Sequence, residues 1–135
     1  MTATTMPMME THPQRIKVDR AQLAAAIDAI AVCTQACIAC ADACMSERTV
    51  AELSKCVRIN LDCADVCAAT IRVLLRQGDY DAKLNRALLE ACVTACRSCG
   101  DECSAHAKKY EHCRICAEAC RACEEACRRL LTAMA

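Results

Sequence analysis

Cysteines recur in this chain in steps of four, three and four residues. Cys33, Cys37, Cys40 and Cys44 form one set, Cys92, Cys96, Cys99 and Cys103 a second, and Cys116, Cys120, Cys123 and Cys127 a third. A fourth set, Cys56, Cys63 and Cys67, has Asn60 where its second member would fall, and Cys113 stands three residues ahead of the third set. Together these account for all 16 cysteines. Steps of three and four bring side chains onto one face of an α-helix, with neighbouring Cβ atoms ~5–6 Å apart. Each set is therefore one thiol stripe on one helix. The opposite faces carry Asp42, Arg58, Asp62, Asp65, Arg97, Asp101, Glu118 and Glu125, so the stripes turn inward, where the less polar face of a helix goes.

Helix signals bracket each stripe. Asp19 followed by Gln22 predicts an N-cap for a first helix from Arg20 to about Met45, and Thr49 with Glu52 predicts a second capping box. The second helix keeps its period from Leu53 to Leu75, and Gly78 is the expected stop. Asp79 or Asp81 is placed to cap a third helix through about Ala107, and a fourth runs from about Glu111 to Ala133. Gly100 falls inside the third helix and reads as a close-packing position. The connections are short, which favours antiparallel neighbours. The expected fold is all-α: an antiparallel up-down four-helix bundle with a cysteine-lined core spanning residues 19–135, behind a mobile N-terminal tail of residues 1–18.

The interior this pattern implies is unusual. In 135 residues there are 27 alanines but only 10 Leu, 7 Ile, 7 Val and no Phe. Such small side chains do not fill a core to the usual density, so either the helices sit close or another material fills the middle. Lys plus Arg and Asp plus Glu are both 17, which gives no electrostatic ground for nucleic acid or an anionic membrane as a partner. The only aromatic residues besides histidine are Tyr80 and Tyr110. The first 18 residues show no export signal, and the longest uncharged stretch within a helix, Ala29 to Ala41, is 13 residues long, short of the ~20 of a membrane span. The expected compartment is the cytoplasm, where thiols stay reduced and a cysteine-rich pattern reads as metal-binding.

Other uses of the thiols fit less well. A packing role would let Ala, Val and Ser share the template, yet 15 of its 16 positions are Cys. A disulfide between neighbours in one helical turn would distort the helix. Pairs such as Cys37/Cys40 and Cys120/Cys123 resemble redox motifs, but they lie in mid-helix, away from an activating N-terminus. No enzyme is expected. Among thiolate-seeking metals, a structural zinc needs four ligands and an iron–sulfur cluster four cysteines, which leaves most of the set unused. A zinc or Fe–S protein acting as metal buffer or electron carrier is the alternative reading. Cu(I) binds two or three thiolates, shares bridging sulfurs, and at about one ion per thiolate cancels a charge that is prohibitive to bury unpaired.

These residues resemble the four-helix-bundle copper storage proteins, in particular the cytosolic members that lack an export signal. The resemblance runs from about Asp19 to Ala133 and rests on CxxxC pairs on every helix, among them Cys33/Cys37, Cys63/Cys67, Cys92/Cys96 and Cys116/Cys120. It implies many Cu(I) ions inside each bundle, storage or sequestration of copper, a homotetramer, and a copper donor such as a chaperone or a small thiol.

The two ends of the stripes differ. Beyond Cys33, Cys67, Cys92 and Cys127 come Ile27, Ile30, Ile71, Leu74, Leu88, Leu89, Leu130 and Leu131, an apolar plug. At the other end Met45, His106 and His112 adjoin Cys44, Cys103 and Cys113, soft and borderline ligands suited to a copper entrance. The tail residues Met1, Met6, Met8, Met9 and His12 also carry copper-binding groups, although disorder is the expected state of that segment.

Overall fold

The computed structural model describes residues 3–134, and these contain helices and no strand. A short helix, α1 (Thr5–Glu10), is followed by four long ones: α2 (Arg20–Met45), α3 (Ser54–Leu74), α4 (Ala82–His106) and α5 (Glu111–Met134). A single 3-10 turn, Val50–Leu53, precedes α3.

The helix boundaries have local causes. Asp19 caps α2 by accepting from the Gln22 N–H at 2.9 Å, as its spacing predicts. Asp81, not Asp79, caps α4, accepting from the Leu84 N–H at 3.1 Å. The predicted box at Thr49 and Glu52 does not form. The Thr49 hydroxyl is hydrogen-bonded to the Tyr110 hydroxyl instead, Glu52 N–H donates to the Thr49 carbonyl at 2.9 Å, and the chain makes a 3-10 turn before α3 opens at Ser54. A capping oxygen serves a helix only while no other partner takes it. Gly78 is not the stop expected of it either. α3 ends at Leu74, whose carbonyl accepts from Gln77 Nε2 at 2.8 Å, and the left-handed turn residue is Asp79, at φ 49°. Aspartate tolerates that region better than most side chains.

Each long helix has two neighbours. α2 packs on α3 and α5, and α4 packs on the same two. Gly100, expected at a close approach of two helices, meets only a side-chain end: a Cβ there would lie 2.9 Å from Nη1 of Arg121, whose exposed guanidinium reaches from α5 to Asp101 on α4 at 2.7 Å. α2 is long and apolar enough to cross a membrane by length and composition, but here its cysteine face is buried among the other helices.

At one end Ile27, Ile30, Leu74, Leu89 and Leu130 are buried, with Ile71 and Leu131 partly buried beside them. This is the predicted plug. The N-terminal segment, expected to hang free, lies over it. Met9 and Ile16 are buried, Thr5 Oγ1 donates to Asp28 Oδ1 at 2.8 Å, and Gln14 Oε1 accepts from the Asp79 N–H at 3.0 Å. The cause is the apolar surface that Leu23, Ile27 and Leu74 would otherwise leave exposed, removal of which from water is worth ~25 cal/mol per Å². Met1 lies outside the described residues.

Candidate metal centre

All 16 cysteines are free and buried. Their sulfurs form one network among α2, α3, α4 and α5. Near the plug Cys67 lies 3.7 Å from Cys92 and Cys92 lies 4.0 Å from Cys127. At mid-length Cys33 touches Cys37, Cys63, Cys96 and Cys120 at 3.8–4.0 Å. Cys37 continues the path to Cys99 and Cys120 at 3.7 Å and to Cys116 at 3.8 Å. At the far end Cys40, Cys44 and Cys113 are mutually within 4.0 Å, and Cys56 meets Cys103 at 3.9 Å. Contacts between i and i+4 within a helix fall in the upper part of the 3.7–4.0 Å range seen between helices. Cys33/Cys37, Cys40/Cys44, Cys63/Cys67 and Cys99/Cys103 all fall at 3.9–4.0 Å, the separation of two sulfurs on one small ion.

Several sets of four donors lie within 4.8 Å of one another, among them Cys33/Cys63/Cys67/Cys96, Cys33/Cys37/Cys63/Cys120, Cys37/Cys99/Cys116/Cys120 and Cys67/Cys92/Cys96/Cys123. These sets overlap: Cys33, Cys37, Cys63, Cys67, Cys96 and Cys120 each belong to two of them. A single structural zinc would use four of these ligands, whereas overlapping sets along the whole interior suit many ions that each take few soft ligands, as Cu(I) does.

Asn60 is the exception to the cysteine template, and it remains inside the network. It is fully buried. Its Oδ1 accepts from the thiols of Cys99, Cys116 and Cys103 at 2.9, 3.2 and 3.4 Å, and its Nδ2 donates to Cys56 at 3.6 Å.

A fifth set of donors mixes ligand types: Cys40, Cys44, Cys113 and His112. His112 Nδ1 is 3.4 Å from Cys40, 3.6 Å from Cys113 and 3.9 Å from Cys44, and its Nε2 is 2.9 Å from Glu47 Oε2. Burial opposes the charged imidazolium of His112, but the Cys40 thiol and the Glu47 carboxylate outweigh it, and the net direction is upward. Burial, followed by repulsion from Cys40, pushes the Cys44 thiol up to about 11. Cys113 is raised for the same two reasons.

The other two predicted entrance residues are placed differently. His106 turns its Nε2 to Glu102 at 2.9 Å, and Met45 is 51 % exposed. The hydrogen bond of His106 thus runs to a carboxylate, whereas His112 has one to sulfur as well. Glu47 was not singled out as part of the site by the sequence, and Asn60 stood out only as the gap in the cysteine template. Glu47 is 65 positions from the histidine it supports, and no local spacing reports such a contact.

Buried, overlapping thiol sets presented by helices alone define a helical protein built to hold soft metal ions. Residues 19–132 match the sequence family described as copper storage protein, Csp, and the chain belongs to the copper storage protein family. Its structure is similar to that of the copper storage protein Ccsp from Streptomyces lividans loaded with 10 copper equivalents, with a TM-score of 0.95 and 54 % identity, covering 96 % of this chain and 99 % of that one. A second structure, of copper loading to a cytosolic copper storage protein from Streptomyces lividans (five coppers), gives a TM-score of 0.82 at 58 % identity over 83 % and 93 % of the two chains. The Cu(I)-bound copper storage protein BsCsp3 gives 0.71 at 34 % identity over 79 % and 95 %.

Proposed function

We propose that this chain stores copper in the cytoplasm as Cu(I), bound by the thiolates of its 16 cysteines inside an antiparallel up-down four-helix bundle formed by residues 19–135. The observation that carries the reading is the overlap of the sulfur sets, since six cysteines each serve two of them. Shared thiolates hold many monovalent ions in a confined volume. About one Cu(I) per thiolate also leaves the interior near neutrality, as a low-dielectric core requires.

The pairwise packing of α2–α5 and their short connections support the bundle. His112, with Cys40, Cys44 and Cys113, is the inner ligand set of the entrance, and His106 and Met45 are its outer residues. The likeness to a cytosolic copper storage protein supports the compartment. The family resemblance supports a homotetramer and delivery by a copper chaperone or small thiol. No reaction is assigned to the chain: its pairs Cys37/Cys40, Cys96/Cys99 and Cys120/Cys123 lie in mid-helix, away from an activating N-terminus.

Anaerobic titration of the reduced apo-protein with Cu(I) against a competing chelator, followed by metal analysis, tests the proposal. The expected capacity is about one ion per cysteine. Saturation at one or two ions per chain would overturn it in favour of a discrete zinc or Fe–S site.

A further inference from the structure

The two nitrogens of His112 have different company. Nδ1 faces the sulfurs of Cys40, Cys113 and Cys44 at 3.4, 3.6 and 3.9 Å, while Nε2 lies 2.9 Å from Glu47 Oε2. An ionised carboxylate only accepts hydrogen bonds, so at that distance the Nε2 of a neutral ring holds the proton and donates it. The lone pair then sits on Nδ1, turned to the three sulfurs. Without the carboxylate either nitrogen could carry the proton, and an Nδ1–H would present no donor pair on the side where the thiols stand.

Glu47 is fixed in this place by its position in the chain. It follows Ser46, the C-cap of α2, and its N–H donates to the Cys44 carbonyl at 3.3 Å. The carboxylate is thereby tied to the helix end that presents Cys40 and Cys44, while His112 and Cys113 stand in the first turn of α5. The hydrogen bond between the hydroxyls of Thr49 and Tyr110 joins the same two stretches of chain a second time, and Tyr110 is only 8 % exposed. A carboxylate is a hard ligand and Cu(I) a soft ion, which leaves Glu47 outside the ligand set. His106 shows the contrast. Its Nε2 also meets a carboxylate, Glu102 at 2.9 Å, but that residue stands one turn away on the same helix, whereas the Glu47 bond ties two segments together.

We propose that Glu47 is a positioning residue of the copper entrance: by accepting the Nε2–H of His112 it keeps the Nδ1 lone pair turned to Cys40, Cys44 and Cys113. An arriving ion then meets a ready nitrogen beside three thiols. Carboxylates that pair with metal-binding imidazoles fix the tautomer and the ring orientation in this way. Glu47 acts through His112 alone. The inference rests on the storage reading for the ion that arrives, but the state of the ring in the empty protein needs no copper.

Labelling the reduced, metal-free full chain with ¹⁵N-histidine, at a pH where the ring is neutral, reads the tautomer. His112→Ala assigns its signals among those of the three histidines. Expected for His112 is a protonated Nε2 and a bare Nδ1. The two nitrogen shifts draw together in Glu47→Ala and stay apart in Glu47→Gln, whose amide oxygen still accepts. Anaerobic stopped-flow loading with Cu(I) gives the consequence. Glu47→Ala slows loading about fivefold, the effect of losing one hydrogen bond, and Glu47→Gln keeps most of the rate. Once His112 is Ala, Glu47→Ala adds nothing. Unmoved nitrogen shifts in Glu47→Ala would overturn the inference. So would a Glu47→Gln variant as slow as Glu47→Ala, or further slowing in the double variant, either of which would make Glu47 an electrostatic attractor of the ion. A wild-type chain that takes up no copper would instead overturn the storage reading, with the nitrogen shifts still deciding this one.

Discussion

His112 Nδ1 lies 3.4 Å from the Cys40 sulfur while its Nε2 rests 2.9 Å from Glu47. One imidazole thus joins the thiol interior to a carboxylate on the outside. His106, by contrast, is turned to Glu102. His112→Ala is expected to slow copper loading and chelator-driven removal by ~10-fold, equivalent to ~1.4 kcal/mol of barrier. His106→Ala has a much smaller effect, and neither changes the final capacity. Stopped-flow loading of the two single variants is the measurement; equal rates in both would take His112 out of the path.

Loading exchanges protons for copper. Burial pushes Cys44 up to about 11 and raises Cys113 as well, so at neutral pH these thiols hold their protons in the empty protein. The copper-bound state carries fewer protons than the empty one. Raising the pH therefore favours loading and lowering it favours release. Titration of Cu(I) into unbuffered apo-protein under a pH-stat should release protons as ions reach Cys44 and Cys113, and Cys44→Ala with Cys113→Ala should reduce that release. An unchanged release in the double variant would mean these two thiols are already ionised.

The plug and the store are expected to separate under mutation. Leu89 and Leu130 are almost fully buried and have no sulfur partner to provide. Leu89→Ala or Leu130→Ala should lower the stability of the apo-protein by ~2–5 kcal/mol, the range for a leucine-sized cavity. Copper capacity should be unchanged. Urea unfolding monitored beside metal analysis checks both halves, and a fall in capacity at full folding would show that the plug shapes the sites.

The helices are expected to form before any metal arrives. The Asp19 and Asp81 caps and the buried Leu and Ile residues owe nothing to copper. Neutral thiols, moreover, pack as small apolar groups. Reduced, metal-free protein should give a strongly helical far-ultraviolet circular dichroism spectrum at pH 7. A coil spectrum that becomes helical only with Cu(I) would put this chain with the zinc fingers, which fold on their metal.

The regular parts of the molecule were legible in the sequence because their causes are local. The cysteine spacing foretold the inward stripes, and Asp19 with Gln22 foretold the start of α2. What escaped reading depended on partners distant in the chain. Thr49 looks like a cap until Tyr110, 61 positions on, takes its hydroxyl. His106 and His112 look equivalent until Glu102 takes one and Cys40 meets the other. The N-terminal segment reads as free, and its place, seated by Met9 and Ile16 with Met6 and Val18 beside them, depends on an apolar plug assembled from all four long helices. Gly78 reads as the helix stop, yet the backbone reversal falls to Asp79, a choice set by how Gln77 closes the last turn.

Every thiol in this interior stands on a helix, and none is borrowed from a loop or turn. The elements that carry the thiols therefore start at caps and close on an apolar plug that involve no ion. Proteases recognise opened chain, and what exposes a protein to them is its population of unfolded forms. Ions held only by the folded form lower that population further, so the emptied molecule is the more exposed of the two. How long it lasts to be filled again is then set by its caps and its apolar plug rather than by its cargo.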